Sequence, residues 1–144
     1  MVNPTPARRT AVLLDPHPLW LDALEQVLRN VGVETVARLT SPRETLAVLE
    51  TVQPSLLLVD PDARDAELDG LECLRQARAR FDSLIVIVFS GSDDPTRMEA
   101  AFAAGALGYV LKTAGGEDLA AAVSEGLGGS LPRRTHAAEA RGAH

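Results

Sequence analysis

Short apolar runs alternate along the chain with longer segments in which the apolar positions recur at helical spacing. The short runs are rich in Val, Leu and Ile, and they predict strands over residues 10–15, 34–39, 55–60, 84–89 and 107–111. The longer segments predict amphipathic helices over residues 19–32, 41–52, 70–80, 94–105 and 116–129. Strands and helices in strict alternation are typical of an α/β fold, here a doubly wound five-stranded parallel sheet with helices on both faces.

Capping residues support several of the predicted helix boundaries. Ser41 is expected to cap the second helix, with Glu44 in the position that a capping box requires. Asp94 is expected to cap the fourth helix, and Gly105 is expected to end it. Gly32 is expected to end the first helix for the same reason.

Composition restricts the function classes. The chain has 144 residues, enough for one domain, and no apolar run approaches the ~20 residues of a membrane helix. A net charge of −6 argues against a nucleic-acid surface on the main domain, because the only basic pairs, Arg8–Arg9 and Arg133–Arg134, lie near the ends. Cys73 is the only cysteine, which excludes an internal disulfide and suits a reducing cytoplasm. We therefore expect a cytoplasmic protein without a signal peptide.

Chemically useful side chains follow four of the predicted strands. Asp15 and Asp60 end the first and third strands, Ser90 follows the fourth, and Lys112 follows the fifth. The carboxyl ends of parallel strands meet at one edge of the sheet, where ligands bind in such folds. A carboxylate can act as a nucleophile toward phosphorus, and a lysine can neutralise phosphate oxygens. The set therefore predicts a site for a phosphoryl group.

The order of the motifs "LLLVD", "VIVFSG" and "GALGYVLK" resembles the receiver domain of bacterial two-component response regulators. The pair His17–Pro18 and the stretch "AAGALGYVLK" are similar to the NarL/FixJ (LuxR-type) subfamily. This resemblance implies a flavodoxin-like (βα)5 fold with strand order 2-1-3-4-5. It divides the chain into a flexible arm over residues 1–9, a receiver domain over 10–128 and a linker-like tail over 129–144.

The resemblance also implies a role for each residue at the sheet edge. Asp60 is the expected phosphoacceptor, and Lys112 is the expected phosphate-binding cation. Ser90 and Tyr109 are the expected switch residues: the hydroxyl moves toward the phosphoryl group, and the aromatic ring turns inward as it does so. Such a change would repack the surface around the fourth helix.

The expected cofactor is Mg²⁺, held by Asp15, by Asp60 and by Asp62 through its backbone carbonyl or side chain. Receiver domains normally carry a second acid directly after the first, and here that position is Pro16. Proline offers no side-chain ligand, and Mg²⁺ prefers near-octahedral oxygen coordination. We therefore expect metal binding to be weakened.

The loop "DPDARDAELDG" after the third strand is about two residues longer than the family pattern. Asp62 or Asp65 could supply the carboxylate that Pro16 lacks, and the alternative is an acidic, solvated loop without a metal role. His17 is disfavoured as a ligand, because a single histidine in a turn makes a poor metal site.

The expected function is two-component signal transduction without a separate enzymatic activity. A sensor histidine kinase would phosphorylate Asp60 and thereby change a dimer or effector surface, for transcriptional regulation. The expected partners are that kinase and a second copy of the chain. DNA would be contacted only through a helix-turn-helix domain that the sequence lacks, whether the chain is truncated or a stand-alone receiver. No membrane partner is expected.

Two alternatives belong to other classes. Pro16 and the altered loop favour a pseudo-receiver, an interaction module that works without phosphorylation. The run "LLLVDPDA" is also similar to haloacid dehalogenase phosphatases, but these need a further acidic motif after Lys112, where "TAGGEDLAAAVSEGL" is helix-like. A flavin-binding flavodoxin is disfavoured, because the loop "DPHP" offers no cradle for a phosphate.

Overall fold

The computed structural model describes residues 9–128, which form five strands, five α-helices and one short 3₁₀ helix. The strands are β1 Thr10–Leu14, β2 Glu34–Leu39, β3 Leu56–Val59, β4 Ile85–Ser90 and β5 Gly108–Leu111. The α-helices are α1 Pro18–Asn30, α2 Pro42–Val52, α3 Gly70–Arg80, α4 Pro95–Ala104 and α5 Gly116–Leu127. The 3₁₀ helix, Lys112–Ala114, follows β5 directly and was not predicted.

All strand pairs are parallel, and the strand order is β2-β1-β3-β4-β5. The predicted flavodoxin-like fold and strand order are therefore confirmed. β3 lies in the middle of the sheet, and its four residues, LLLV, are all buried. A strand covered on both faces needs a continuous apolar run, which explains the absence of polar alternation there.

Two apolar layers cover the sheet. Helices α2, α3 and α4 pack on one face, with Leu49, Leu74 and Tyr109 among the buried residues of that layer. Helices α1 and α5 pack on the other face, around residues such as Leu28 and Leu119. Strand residues alternate between the two layers, so the sheet is fixed from both sides and its carboxyl edge becomes a rigid platform.

The predicted caps of α2 and α4 are present. Ser41 Oγ accepts a hydrogen bond from Glu44 N, and Asp94 accepts one from Thr96 N. Gly105 ends α4 with a φ of 116°, a left-handed conformation that glycine adopts without strain.

The predicted bounds of α1 agree with the structure within two residues. The helix begins at Pro18 with His17 as its N-cap, and its last helical residue is Asn30. Gly32 follows the C-cap Val31 with a φ of 80°, and its N–H bonds to the carbonyl of Arg29, so Gly32 terminates the helix as predicted. The other predicted boundaries also agree within one or two residues.

The predicted arm, except for residue 9, and the predicted tail lie outside the described residues. Among the described residues, no helix is long and apolar enough to cross a membrane.

Candidate functional site

Four polar side chains meet at the carboxyl edge of the sheet, as the strand ends predict. Asp15 follows β1, Asp60 follows β3, Ser90 is the last residue of β4, and Lys112 follows β5. Asp15 and Ser90 are fully buried, and Asp60 is 4% exposed. Buried carboxylates are costly unless they are paired, so their partners define the site.

Lys112 is the central cation of this cluster. Its Nζ lies 2.8 Å from Asp15 Oδ2 and 2.8 Å from Asp60 Oδ2. The ammonium group also lies 5.0 Å from the ring centre of Trp20 and 5.8 Å from that of Phe89, and the two rings pack edge to face. The aromatic pair forms an apolar wall that keeps the lysine side chain 9% exposed and directs it toward the carboxylates.

Asp60 is held on three sides. Its Oδ1 accepts a hydrogen bond from Asp62 N at 2.8 Å, and its Oδ2 accepts one from Lys112 Nζ. Its backbone is packed against the start of α3: a Cβ on Gly70 would lie 2.2 Å from the Asp60 carbonyl oxygen. The Asp69–Gly70 pair therefore caps α3 and brings that helix into contact with Asp60.

Asp15 presents one satisfied oxygen and one that lacks a hydrogen bond. Oδ1 accepts from the backbone N–H of His17 at 2.9 Å. Oδ2 is buried and accepts no hydrogen bond from the described residues, although the Lys112 ammonium lies close enough for an ion pair. This buried oxygen is therefore already paired with a cation, and a metal ion could take the place of the ammonium group. Ligand atoms of Asp15, His17 and Asp60 all lie within 4.8 Å of one another, so these residues fit a divalent metal.

The carboxylate of Asp62 turns away from this cluster. It forms an ion pair with Arg97 of α4 and is 56% exposed. The ion pair raises the pKa of Arg97, chiefly through the hydrogen bond to Asp62. Asp62 therefore connects the loop after β3 to α4, and its side chain is not part of the acidic cluster among the described residues.

Asp65 is also engaged elsewhere. Its Oδ2 accepts from Ser41 Oγ and Arg43 N at the start of α2, and its Oδ1 accepts from Glu67 N and Leu68 N. These hydrogen bonds lower the pKa of Asp65, and the one donated by Arg43 N contributes most. The structure therefore does not bring Asp65 to the metal-binding acids: Oδ2 joins the loop to the start of α2, and Oδ1 closes a turn within the loop itself.

Ser90 and Tyr109 are in contact with the same turn. Ser90 Oγ accepts from Ser92 N at 3.1 Å, and the Tyr109 hydroxyl donates to Ser92 O at 2.7 Å. Burial raises the pKa of Tyr109, and a hydrogen bond with the Ser90 side chain acts in the opposite direction. The two expected switch residues are thus linked, and the tyrosine ring is already buried.

Three features of the site were missed or disfavoured at the sequence level. His17 was disfavoured as a ligand, and the structure brings it next to Asp15. The Trp20–Phe89 wall and the Arg97–Asp62 pair were not predicted, because each joins residues that are distant in sequence. The only sequence signal for His17 was its place between two prolines, which restrict the backbone on both sides.

Comparison with known proteins agrees with this geometry. A family model described as the response regulator receiver domain matches residues 11–124. The DNA-binding transcriptional activator EvgA of Escherichia coli is 29% identical over 119 residues, which cover 83% of this chain and 57% of EvgA. The nitrate/nitrite response regulator protein NarL of Escherichia coli is 29% identical over 132 residues, covering 91% of this chain and 59% of NarL. The chain spans less than two thirds of these curated relatives.

Solved structures share the fold. The isolated REC domain of RcsB from Salmonella enterica serovar Typhimurium, determined with the phosphomimetic BeF3⁻, superimposes with a TM-score of 0.84 at 20% identity. That match covers 92% of this chain and 97% of the other. A two-component response regulator of the LuxR family from Aurantimonas sp. SI85-9A1 gives a TM-score of 0.80 at 23% identity, covering 94% and 99% of the two chains.

Proposed function

Because the chain belongs to the response regulator receiver domain family, we propose that it is a phosphorylation switch in which Asp60 accepts a phosphoryl group from a sensor histidine kinase. The observation that carries this proposal is the position of Asp60 Oδ2, 2.8 Å from Lys112 Nζ. A buried carboxylate beside a fixed cation is arranged for transfer of an anionic group.

In the proposed step, a carboxylate oxygen of Asp60 attacks the phosphorus of a phosphohistidine on the kinase. The oxygen–phosphorus bond forms while the phosphorus–nitrogen bond breaks, and the histidine leaves with the electron pair of that bond. Lys112 then contacts the oxygens of the acyl phosphate instead of the free carboxylate. Hydrolysis of the same bond would reset the switch, so the chain acts as a phosphoacceptor and not as an enzyme on a separate substrate.

Asp15 and Asp60 are the proposed Mg²⁺ ligands, joined by Asp62 through its backbone carbonyl, since its side chain pairs with Arg97. When bound, the metal would neutralise part of the negative charge on the transferring oxygens. Pro16 removes one acidic ligand, and we propose that Mg²⁺ binds more weakly for that reason.

The proposed output surface comprises α4, β5 and α5. The Ser90 hydroxyl would donate a hydrogen bond to the new phosphoryl oxygens. Its contacts with the Tyr109 hydroxyl and with the turn at Ser92 would then break. Since Tyr109 packs beside α4, the change would reach the helix surface and alter a homodimer or effector contact. Regulation of transcription, which the name of EvgA states for that protein, and a cytoplasmic location complete the proposal.

Intact mass measurement after incubation with acetyl phosphate and Mg²⁺ tests the proposal. We expect a gain of one phosphoryl group in the unmodified protein and none in Asp60→Asn. Asp82→Asn is the matched control, because Asp82 is exposed and precedes β4 at the opposite edge of the sheet. A gain that persists in Asp60→Asn would contradict the assignment of the phosphoacceptor.

Pro16 favours one second candidate, a pseudo-receiver that acts as an interaction module without phosphorylation. The discriminating result is the absence of phosphoryl gain at high Mg²⁺ in a protein that remains folded. In that case the buried cluster of Asp15, Asp60 and Lys112 would serve as a structural ion-pair network at the edge of an interaction surface.

A further inference from the structure

We propose that His17 is a metal ligand and that its imidazole gives the site a preference for a first-row transition ion, such as Co²⁺ or Zn²⁺, over Mg²⁺. This inference rests on the proposed metal site at Asp15 and Asp60 and adds a nitrogen ligand to it. The nitrogen comes from a residue that the sequence pattern alone disfavoured.

The first argument is geometric. His17 Nδ1 lies 3.4 Å from Asp15 Oδ1, and a ligand atom of each of Asp15, His17 and Asp60 falls within a 4.8 Å cluster. Asp15 Oδ2 is buried, accepts no hydrogen bond from the described residues and lies 2.8 Å from Lys112 Nζ, so a bound metal ion would take the place of the ammonium group as its countercharge. The histidine side chain is 67% exposed, so an ion can reach the cluster from solvent.

The second argument concerns the backbone. His17 lies between Pro16 and Pro18, and its φ of −113° and ψ of 113° are the extended values that a residue before proline adopts. Its N–H is fixed to Asp15 Oδ1, and its carbonyl accepts from Trp20 N and Leu21 N at the start of α1. The imidazole is therefore placed beside Asp15 by a rigid backbone, which lowers the entropic cost of binding a metal.

The third argument concerns what His17 does not do. It occupies the N-cap position of α1, yet its side chain makes no capping hydrogen bond. Receiver domains normally carry a second acidic metal ligand directly after the first, and in this chain that position is Pro16. Imidazole binds Zn²⁺, Co²⁺ and Ni²⁺ well, whereas Mg²⁺ prefers oxygen ligands, so a site that lacks the second acid and holds a histidine beside Asp15 should favour the transition ion.

The test measures metal binding in three proteins: the unmodified chain, His17→Ala and Asp15→Asn. Co²⁺ is titrated and followed by its visible absorption, which responds to nitrogen ligation, and by quenching of Trp20, the only tryptophan. Mg²⁺ affinity is obtained by competition against Co²⁺ and by Trp20 fluorescence. His17→Ala removes no capping hydrogen bond, so we expect it to fold. A double variant, His136→Ala with His144→Ala, controls for the other two histidines, which lie outside the described residues.

We expect His17→Ala to weaken Co²⁺ binding by about tenfold or more, the range seen when groups around a metal are lost. Mg²⁺ affinity should change less than about threefold, and the Co²⁺ spectrum should lose its nitrogen signature. Unchanged Co²⁺ affinity in His17→Ala, with binding lost in Asp15→Asn, would overturn the role of His17 and leave the proposed metal site intact. Absence of binding by either ion to the unmodified chain would overturn both.

Discussion

Gly70 and Asp60 are in direct backbone contact, because a Cβ at Gly70 would lie 2.2 Å from the Asp60 carbonyl oxygen and 2.8 Å from Pro61 Cα. The first residue of α3 thus rests on the peptide that carries the proposed phosphoacceptor. No side chain can be accommodated there unless the backbone moves. The geometry of the site therefore depends on this glycine as well as on its charged residues.

Gly70→Ala should therefore destabilise the protein by about 2 kcal/mol or more and reduce phosphoryl gain at Asp60. Alanine is favoured over glycine in a helix by about 1 kcal/mol, but a clash with backbone atoms outweighs that gain. Urea unfolding measures the loss. Gly91→Ala is the matched control, since nothing lies within 4 Å of its added Cβ. Equal stability of the two variants would show that the backbone at Asp60 adapts freely.

Lys112→Met should cost about 3 kcal/mol in the free energy of unfolding and abolish phosphoryl transfer. Its removal leaves Asp15 and Asp60 buried without a countercharge, which is far more costly than breaking a surface pair. Arg29→Met is the control, because Arg29 pairs with Glu25 on the exposed side of α1 and should contribute less than about 1 kcal/mol.

The same ion pair can be observed directly, because Lys112 is the only lysine in the chain. Reductive methylation with ¹³C-formaldehyde labels only this side chain and the N-terminus. We expect the Lys112 resonance to shift in Asp60→Asn and on phosphorylation, and to stay unchanged in Asp82→Asn. A resonance insensitive to Asp60→Asn would contradict the contact between the two residues.

Asp65→Ala should lower the thermal midpoint near neutral pH, and the difference from the unmodified protein should shrink progressively as the pH falls below about 4. The pKa of folded Asp65 lies below its ordinary value of 3.8, chiefly because Arg43 N donates to its carboxylate. The ionised group therefore stabilises the folded state in full above the unfolded-state pKa, and this contribution is lost as the pH falls toward the folded-state pKa. Thermal unfolding at several pH values checks this, with Asp82→Ala as the control. A difference that does not shrink below about pH 4 would contradict the mechanism.

Tyr109→Phe should cost about 1 kcal/mol, because it removes the hydroxyl that donates to Ser92 O in a buried site. Tyr109→Ala should cost about 3–5 kcal/mol, because it leaves a cavity in the layer against α4. Chemical denaturation distinguishes the two variants. If Tyr109→Phe matched Tyr109→Ala, the hydroxyl rather than the ring would dominate.

The fold, and the meeting of four polar side chains at one edge of the sheet, could be predicted from the sequence. Strand periodicity determined which residues end each strand, and parallel strands end at one edge, so Asp15, Asp60, Ser90 and Lys112 had to converge. The capping signals at Ser41 and Asp94 were local, and both were confirmed.

The directions of side chains in loops could not be predicted in this way. Asp62 and Asp65 are the same residue type and lie close in sequence, yet one pairs with Arg97 of α4 and the other with the start of α2. Their partners lie 35 and 22 residues away in sequence, so the choice depends on tertiary packing. The contact between Lys112 and Trp20 has the same origin.

Pro16→Asp provides the sharpest test of why metal binding should be weak. The substitution adds the carboxylate that the loop lacks, and we expect the affinity for Mg²⁺ to rise by about tenfold or more, because Mg²⁺ gains an oxygen ligand. It also adds a negative charge beside Asp15 and releases the backbone from proline, so the metal-free protein should become less stable. The measurement is a Mg²⁺ titration of Trp20 fluorescence together with thermal unfolding at each Mg²⁺ concentration. Pro18→Asp is the matched control: it makes the same exchange two residues later, at an exposed position in the first turn of α1. Equal Mg²⁺ affinities in Pro16→Asp and the unmodified chain would mean that Pro16 is not what limits the metal site.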